Sequence, residues 1–361
     1  MRTLKKGHQP PPNGGIVGKA EPAMEGFSQE EFDKSRVGLY EKTSRWIKEK
    51  YKDEMDEELI SFYENLGIKK ALYDSDRENG LYRYSVFSPL SKIEGYKYPV
   101  VYYSHGGMQD AFDAESVGFQ YLVAKEQIIV VYPNNGGDSN DAVDTEFPRI
   151  IEAIKNNGYL IDEERIYAAG FSSGSDATET IGTTWPELVA AVAPCPGSNA
   201  MRNSLVRHGG EYYDKNINLK LPMLCVAGLA DFGDRFPYPV EECYTNFNIW
   251  MKEICKVCDY EPISLAQSRE ISESSSNSVN AAFGIEFHET YTEYFEERKW
   301  HVGEFRDENG MVVVRFMGAE GLPHVPTPSH PYLIWEFFKH YSRDAKTKET
   351  KYTPVVFSGM Y

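Results

Sequence analysis

Hydrophobic positions recur along this chain with two different periods, and the change of period divides it. Phe32, Leu39, Tyr40, Trp46 and Ile47 follow a helical spacing through Tyr51. Ser28 with Glu31 forms a capping box ahead of that run, and Phe27 with Phe32 stands at staple spacing. A second helix is predicted over Asp56–Leu66, stopped by Gly67. Residues before about 25 are rich in Pro, Gly and Lys and predict no regular structure.

From about residue 80 the period becomes that of strands alternating with helices. LYRYSVFSP (81–89), YPVVYYSHGG (98–107), IIVVYP (128–133), RIYAAG (165–170), LVAAVAPC (188–195) and LPMLCVAGL (221–229) read as strands. Helices are predicted between them at 116–127, 146–158 and from 171 to about Gly182. A further helix is expected at Glu241–Cys258, and then a polar loop containing SESSSNSVN. KWHVGEF…DENG…MVVVRFMG (299–318) predicts a hairpin around Glu308-Asn309-Gly310. HPYLIWEFFKHYS (330–342) is an amphipathic helix, and the last residues form an extended tail. This alternation implies an α/β fold, a mainly parallel sheet with helices on both faces.

Composition narrows the function classes. The formal net charge of −17 carries no basic stripe, which argues against nucleic acid and polyanionic substrates. No apolar run reaches the roughly 18 residues of a membrane helix, and the N-terminus lacks the apolar region of a signal peptide. The expectation is a cytoplasmic protein, with a leader removed before this numbering left open. Five cysteines, at 195, 225, 243, 255 and 258, fit free thiols in a reducing compartment. Cys255 and Cys258 form a C-x-x-C with no second pair to complete a zinc site, so no metal is expected.

The chemistry begins at Gly170-Phe171-Ser172-Ser173-Gly174, a G-x-S-x-G between a predicted strand and a predicted helix. The motif alone is weak. In that context the sharp turn needs small residues, and it lifts the Ser172 hydroxyl clear of the sheet at a helix N-terminus. His105-Gly106-Gly107-Met108 follows an earlier strand, where glycines let backbone N–H groups approach a reacting carbonyl oxygen. With the N–H of Ser173 they would form an oxyanion hole. In this architecture the acid follows the serine and the histidine comes last. Asp231 lies directly after LPMLCVAGL, and Asp234 is its rival three residues on. Asp231 is favoured because it is nearer the strand end. His324 lies between the final strand and the final helix, with His330 as rival at the helix start. His105 precedes the nucleophile and reads as structural.

At these residues YPVVYYSHGG, DEERIYAAGFSSGSDAT, WPELVAAVAPCPG, GLAD and GLPH…YLIWEFF resemble the polyhydroxybutyrate-depolymerase-like and feruloyl-esterase-like branch of the α/β-hydrolases. The resemblance covers about 80–235 and 310–343, in the right order. It implies a serine esterase without cofactor, with nucleophile Ser172, acid Asp231, base His324 and oxyanion loop Gly107–Met108. The substrates it implies are acylated-carbohydrate, phenolic or short hydroxyacyl esters.

The expected organisation is an N-terminal helical extension through residue 70 and a catalytic domain over 71–361 with an insertion at about 240–300. Through residue 70 the 13 basic and 13 acidic residues balance, as on a surface element laid over a core. The segment 235–310 has 15 acidic and 7 basic residues and lies between two triad candidates, so a lid-like role over the site is expected. Two other classes remain in view: a prolyl-oligopeptidase-type peptidase, and a non-catalytic binding protein on the same fold. The partner expected is a small-molecule or carbohydrate-linked ester, with no nucleic acid and no membrane. Oligomeric state is not readable.

Overall fold

Strands β1 (Ile68–Ser75), β2 (Tyr82–Pro89), β3 (Tyr98–Ser104), β4 (Ile129–Asn134), β5 (Ile161–Gly170), β6 (Ala191–Pro194) and β7 (Met223–Gly228) join β8 (Glu289–Phe295), β9 (Arg298–Arg306) and β10 (Val312–Ala319) in one sheet. These elements come from a computed structural model, which describes residues 57–75, 82–106, 111–134, 143–195, 219–231 and 236–354. The predicted helix through Tyr51, the Gly107–Met108 pair and Asp234 lie outside the described residues.

The strand order is β1-β2-β4-β3-β5-β6-β7-β10-β9-β8. Neighbours from β4 to β10 run parallel, whereas β2 runs antiparallel to β4. Strands β3, β6 and β7 are buried along their whole length, which explains their unbroken apolar runs. Helices α2 (Val143–Asn156), α3 (Ser173–Thr184), α4 (Glu241–Ile249) and α7 (His330–Phe338) alternate with these strands in the chain. This order, with an antiparallel second strand and parallel crossovers after it, is the α/β-hydrolase fold.

Helix α1 (Glu57–Asn65) falls where it is predicted, and Gly67 closes it at φ 72°. The strand after it is new. Ile68 and Lys70 point inward along β1 while Lys69 is exposed. Lys70 is compensated from a distance: its Nζ lies 2.5 Å from Glu115 Oε1, and both side chains are buried. Tyr63 and Ser85 hydroxyls donate to the same carboxylate at 3.2 and 3.4 Å. Burial pushes the Lys70 ammonium down and the Glu115 carboxyl up. Removing one partner of such a pair strands a buried charge at about 3–5 kcal/mol. The polar cluster therefore fastens α1, β1 and β2 to the body of the sheet, and the residue-70 boundary expected from the sequence cuts through the first strand.

The segment between β7 and β10 extends the sheet at its far edge rather than forming a separate flap. Helix α4 continues into a π turn at Trp250–Ile254, followed by α5 (Leu265–Ser274) and α6 (Ser278–Phe283). Phe236, Phe283 and Phe287 gather on Phe316 of β10, with ring centroids 5.0 to 5.8 Å apart. Strands β9 and β8 then add to β10 as antiparallel neighbours. The segment expected to form a lid thus adds strands to the edge of the sheet. Its β8–β9 turn lies at the same end of the sheet as the carboxyl ends of β7 and β10, since Ala319 pairs with both Gly228 and Trp300.

Candidate active site

Ser172, Asp231 and His324 follow the carboxyl ends of β5, β7 and β10. This is the end of an open α/β sheet where crossovers leave room for a ligand. Ser172 joins β5 directly to α3, and its backbone is left-handed at φ 57°, ψ −119°. A side chain held there costs on the order of 1–3 kcal/mol unless the surroundings enforce it. They do so by close packing. A Cβ on Gly174 would come within 2.3 Å of Ser104 O and 2.6 Å of His105 O. Phe171 N–H donates to Ser104 O at 3.1 Å, so the turn is pinned to the end of β3. Ser172 and Ser173 stay half-buried while the rest of α3 is buried.

His324 Nδ1 lies 2.9 Å from Asp231 Oδ2. Asp231 is 2% exposed, so this hydrogen bond is sheltered from water. Backbone contact fixes the two loops against each other: Ala230 N–H donates to Leu322 O at 3.0 Å, and Leu229 N–H to Ala319 O at 2.9 Å. A Cβ on Gly228 would sit 2.0 Å from Leu322 O, so no larger residue fits there. The His324 ring packs on Phe171, the residue before Ser172, with centroids 4.8 Å apart. The three expected residues therefore gather at one end of the sheet, with Asp231 bonded to the histidine and Phe171 bringing that histidine to the turn.

Ser173 opens α3, so its N–H belongs to the first helical turn, which has no intrahelical acceptor. His105 is buried, and its Nδ1 lies 2.9 Å from Gly106 O, which fits the structural reading. Asp176, in the first turn of α3, is also buried.

The rival histidine is differently employed. His330 is the first residue of α7, buried, with Nδ1 accepting the Thr327 N–H at 2.9 Å. Burial pushes its pKa down to about 3. The unfolded chain therefore takes up this proton first as pH falls through about 6.5. His330 then removes about 1.4 kcal/mol of stability per pH unit, about 2 kcal/mol by pH 5. His330→Asn keeps a short acceptor toward Thr327, so its urea-unfolding free energy should fall less steeply than wild type between pH 6.5 and 4.5. An unchanged slope would refute the buried-neutral assignment.

Among the described residues no group of three or more His, Cys, Asp or Glu could hold a metal ion, and no helix is long and apolar enough to cross a membrane. The five cysteines are free, and Cys255 is buried in the core. Sequence reasoning missed the carboxylates of Glu296 and Glu320: Glu296 binds the end of the loop carrying His324, and Glu320, at the start of that loop, binds His301 and Lys299 of β9. Their strand partners are set by a hairpin whose first strand has no apolar face to read.

No family model and no curated protein matches the chain. Solved structures do. The acylaminoacyl peptidase of Pyrococcus horikoshii aligns with TM-score 0.38 and 18% identity, over 55% of this chain and 38% of the peptidase. The match thus spans well under half of that protein's length. A mutant of the feruloyl esterase module from Clostridium thermocellum, complexed with sinapinate, aligns with TM-score 0.47 and 15% identity, over 74% of this chain and 86% of the module. A thermostable esterase aligns with TM-score 0.33 and 20% identity, over 44% and 46% of the two chains.

Proposed function

We propose that this protein is a serine hydrolase of carboxylic esters, working through an acyl-enzyme on Ser172. The observation that carries the reading is the strained Ser172 turn with His324 packed beside it and Asp231 behind His324. A left-handed serine at a strand-to-helix turn is costly for a fold that needs only a link, and useful for one that needs an exposed hydroxyl.

In the proposed cycle Ser172 Oγ attacks the ester carbonyl while His324 Nε2 takes its proton. Asp231 holds Nδ1–H and stabilises the imidazolium that forms. The developing oxyanion is met by the Ser173 N–H, aided by the N-terminal end of α3, and by the N–H groups of the Gly107–Met108 loop. The alcohol leaves with the proton from His324. Water then attacks the acyl group by the same path and regenerates Ser172.

The substrates proposed are acylated carbohydrates, phenolic esters of the feruloyl type and short hydroxyacyl esters. A hydrolysis panel tests this: methyl ferulate, acetylated xylan, hydroxybutyrate oligomers, p-nitrophenyl esters of rising chain length, and matched anilides. Turnover of at least one ester class, with the anilides far slower, is the expected result. Preference for anilides would favour the peptidase reading. No turnover and no fluorophosphonate labelling would leave a binding protein.

A further inference from the structure

The loop between β10 and α7 carries His324 and has no regular structure of its own. Both of its ends are tied to the β8–β9 hairpin. At the start, Glu320 N–H donates to Lys299 O at 2.9 Å and Arg298 Nη1 donates to Glu320 O at 3.2 Å. The Glu320 carboxylate lies 2.7 Å from His301 Nε2 and 3.4 Å from Lys299 Nζ. The His301 hydrogen bond, with Lys299 behind it, holds the Glu320 carboxyl below its usual range. At the end of the loop, Ser329 N–H donates to Glu296 Oε1 at 3.0 Å.

The hairpin turn adds an independent observation. Phe295 pairs with Arg298, so Glu296 and Glu297 alone link the strands, at φ 51° and 58°. Two-residue links of this kind favour Asn-Gly or Gly-Gly, because residues with a Cβ strain the left-handed conformation. Two consecutive glutamates there are a poor choice for a turn alone. One of them has its carboxylate on the loop of the proposed base.

We propose that the β8–β9 edge hairpin is a positioning device for His324, with Glu296 and Glu320 as its positioning residues. The inference rests on the catalytic reading above. A base displaced by about 1 Å can lose on the order of a hundredfold in rate, so anchoring both ends of an irregular loop has a direct kinetic consequence.

The test separates strain from position. Glu296→Gly relieves the backbone and removes the anchor. It should melt no lower than wild type, yet lose about tenfold in kcat on p-nitrophenyl acetate with KM within about twofold. Glu297→Gly relieves strain and keeps the anchor, so it should melt higher with kcat unchanged. Glu296→Gln keeps an acceptor for Ser329 N–H and should restore most of the rate. Glu320→Ala, at the other end of the loop, should show the same kcat loss and carries the test if Glu296→Gly fails to fold. In both slow variants the low-field proton resonance of the His324 Nδ1–H···Asp231 bond should weaken. Wild-type kcat and an unchanged resonance in Glu296→Gly and Glu320→Ala would overturn the proposal, as would Glu296→Gln being as slow as Glu296→Gly. If instead Ser172→Ala and His324→Ala stay active, the catalytic reading fails. The resonance then still reports whether the hairpin orders His324.

Discussion

Ser172→Ala is expected to lower kcat/KM on p-nitrophenyl acetate by roughly four to six decades while leaving the fold intact. The two halves of that expectation have separate physical grounds. The loss is expected to be large because in the proposed cycle the hydroxyl is the attacking atom, and what would survive is the contribution of the oxyanion donors and of binding. The fold should survive because the Ser172 side chain makes no capping hydrogen bond to α3. Alanine, like serine, carries a Cβ, so the substitution adds no bulk to the backbone held at φ 57°. Ser172→Gly sharpens the separation. Glycine adopts a positive φ without steric cost, so this variant should be equally inactive and more stable by about 1 kcal/mol. Steady-state rates, fluorophosphonate labelling and thermal melts on the three proteins check all of this. Near-wild-type turnover in Ser172→Ala would refute the assignment.

Much of the architecture was legible because its signals are local. Buried parallel strands read as apolar runs, and Gly67 stops its helix by its conformation. The order serine, acid, histidine along the chain picked out residues that the fold brings to one end of the sheet. The unread parts depend on distant partners. Strand β1 was missed because an inward position is filled by Lys70, whose charge is compensated by Glu115, supplied from beyond β3. Strand β8 was missed because it is an exposed edge with no buried face, so ETYTEYF shows no apolar alternation. The choice between His324 and His330 needed three dimensions. His324 lies in the loop after β10 and His330 opens α7, and only the folded chain shows His330 buried and accepting the Thr327 N–H.

The acidity of the insertion also changes meaning once it is placed. Glu304 faces Arg306 and Arg315, and Asp307 and Glu308 face Lys220. Arg306 pairs with Val312 at the amino end of β10, remote from the carboxyl end where Ser172, Asp231 and His324 gather. A count of charges along the segment therefore overstates the field at the site. Of the described acidic residues in the β8–β9 turn and the loop after β10, Glu296, Glu297 and Glu320 lie at the end of the sheet where Ser172 stands, and Glu296 and Glu320 are used as hydrogen-bond acceptors.

Asp231→Asn should reduce kcat by about four decades with little change in the fold. In the proposed cycle the carboxylate, which can only accept, fixes the proton on His324 Nδ1 and leaves Nε2 free to take the serine proton. An asparagine amide can donate to Nδ1 instead. The ring proton then moves to Nε2, and the base is in the wrong tautomer for its task. The side chain is nearly isosteric and the loop is held by backbone bonds from Ala230 and Leu229, so the geometry should persist. Asp234→Asn is the matched control and should retain its rate. The reverse result, with Asp234→Asn inactive and Asp231→Asn active, would move the acid three residues along the chain. The close approach of Gly228 to Leu322 O would then serve only to pack two loops, because the histidine would take its orientation from elsewhere.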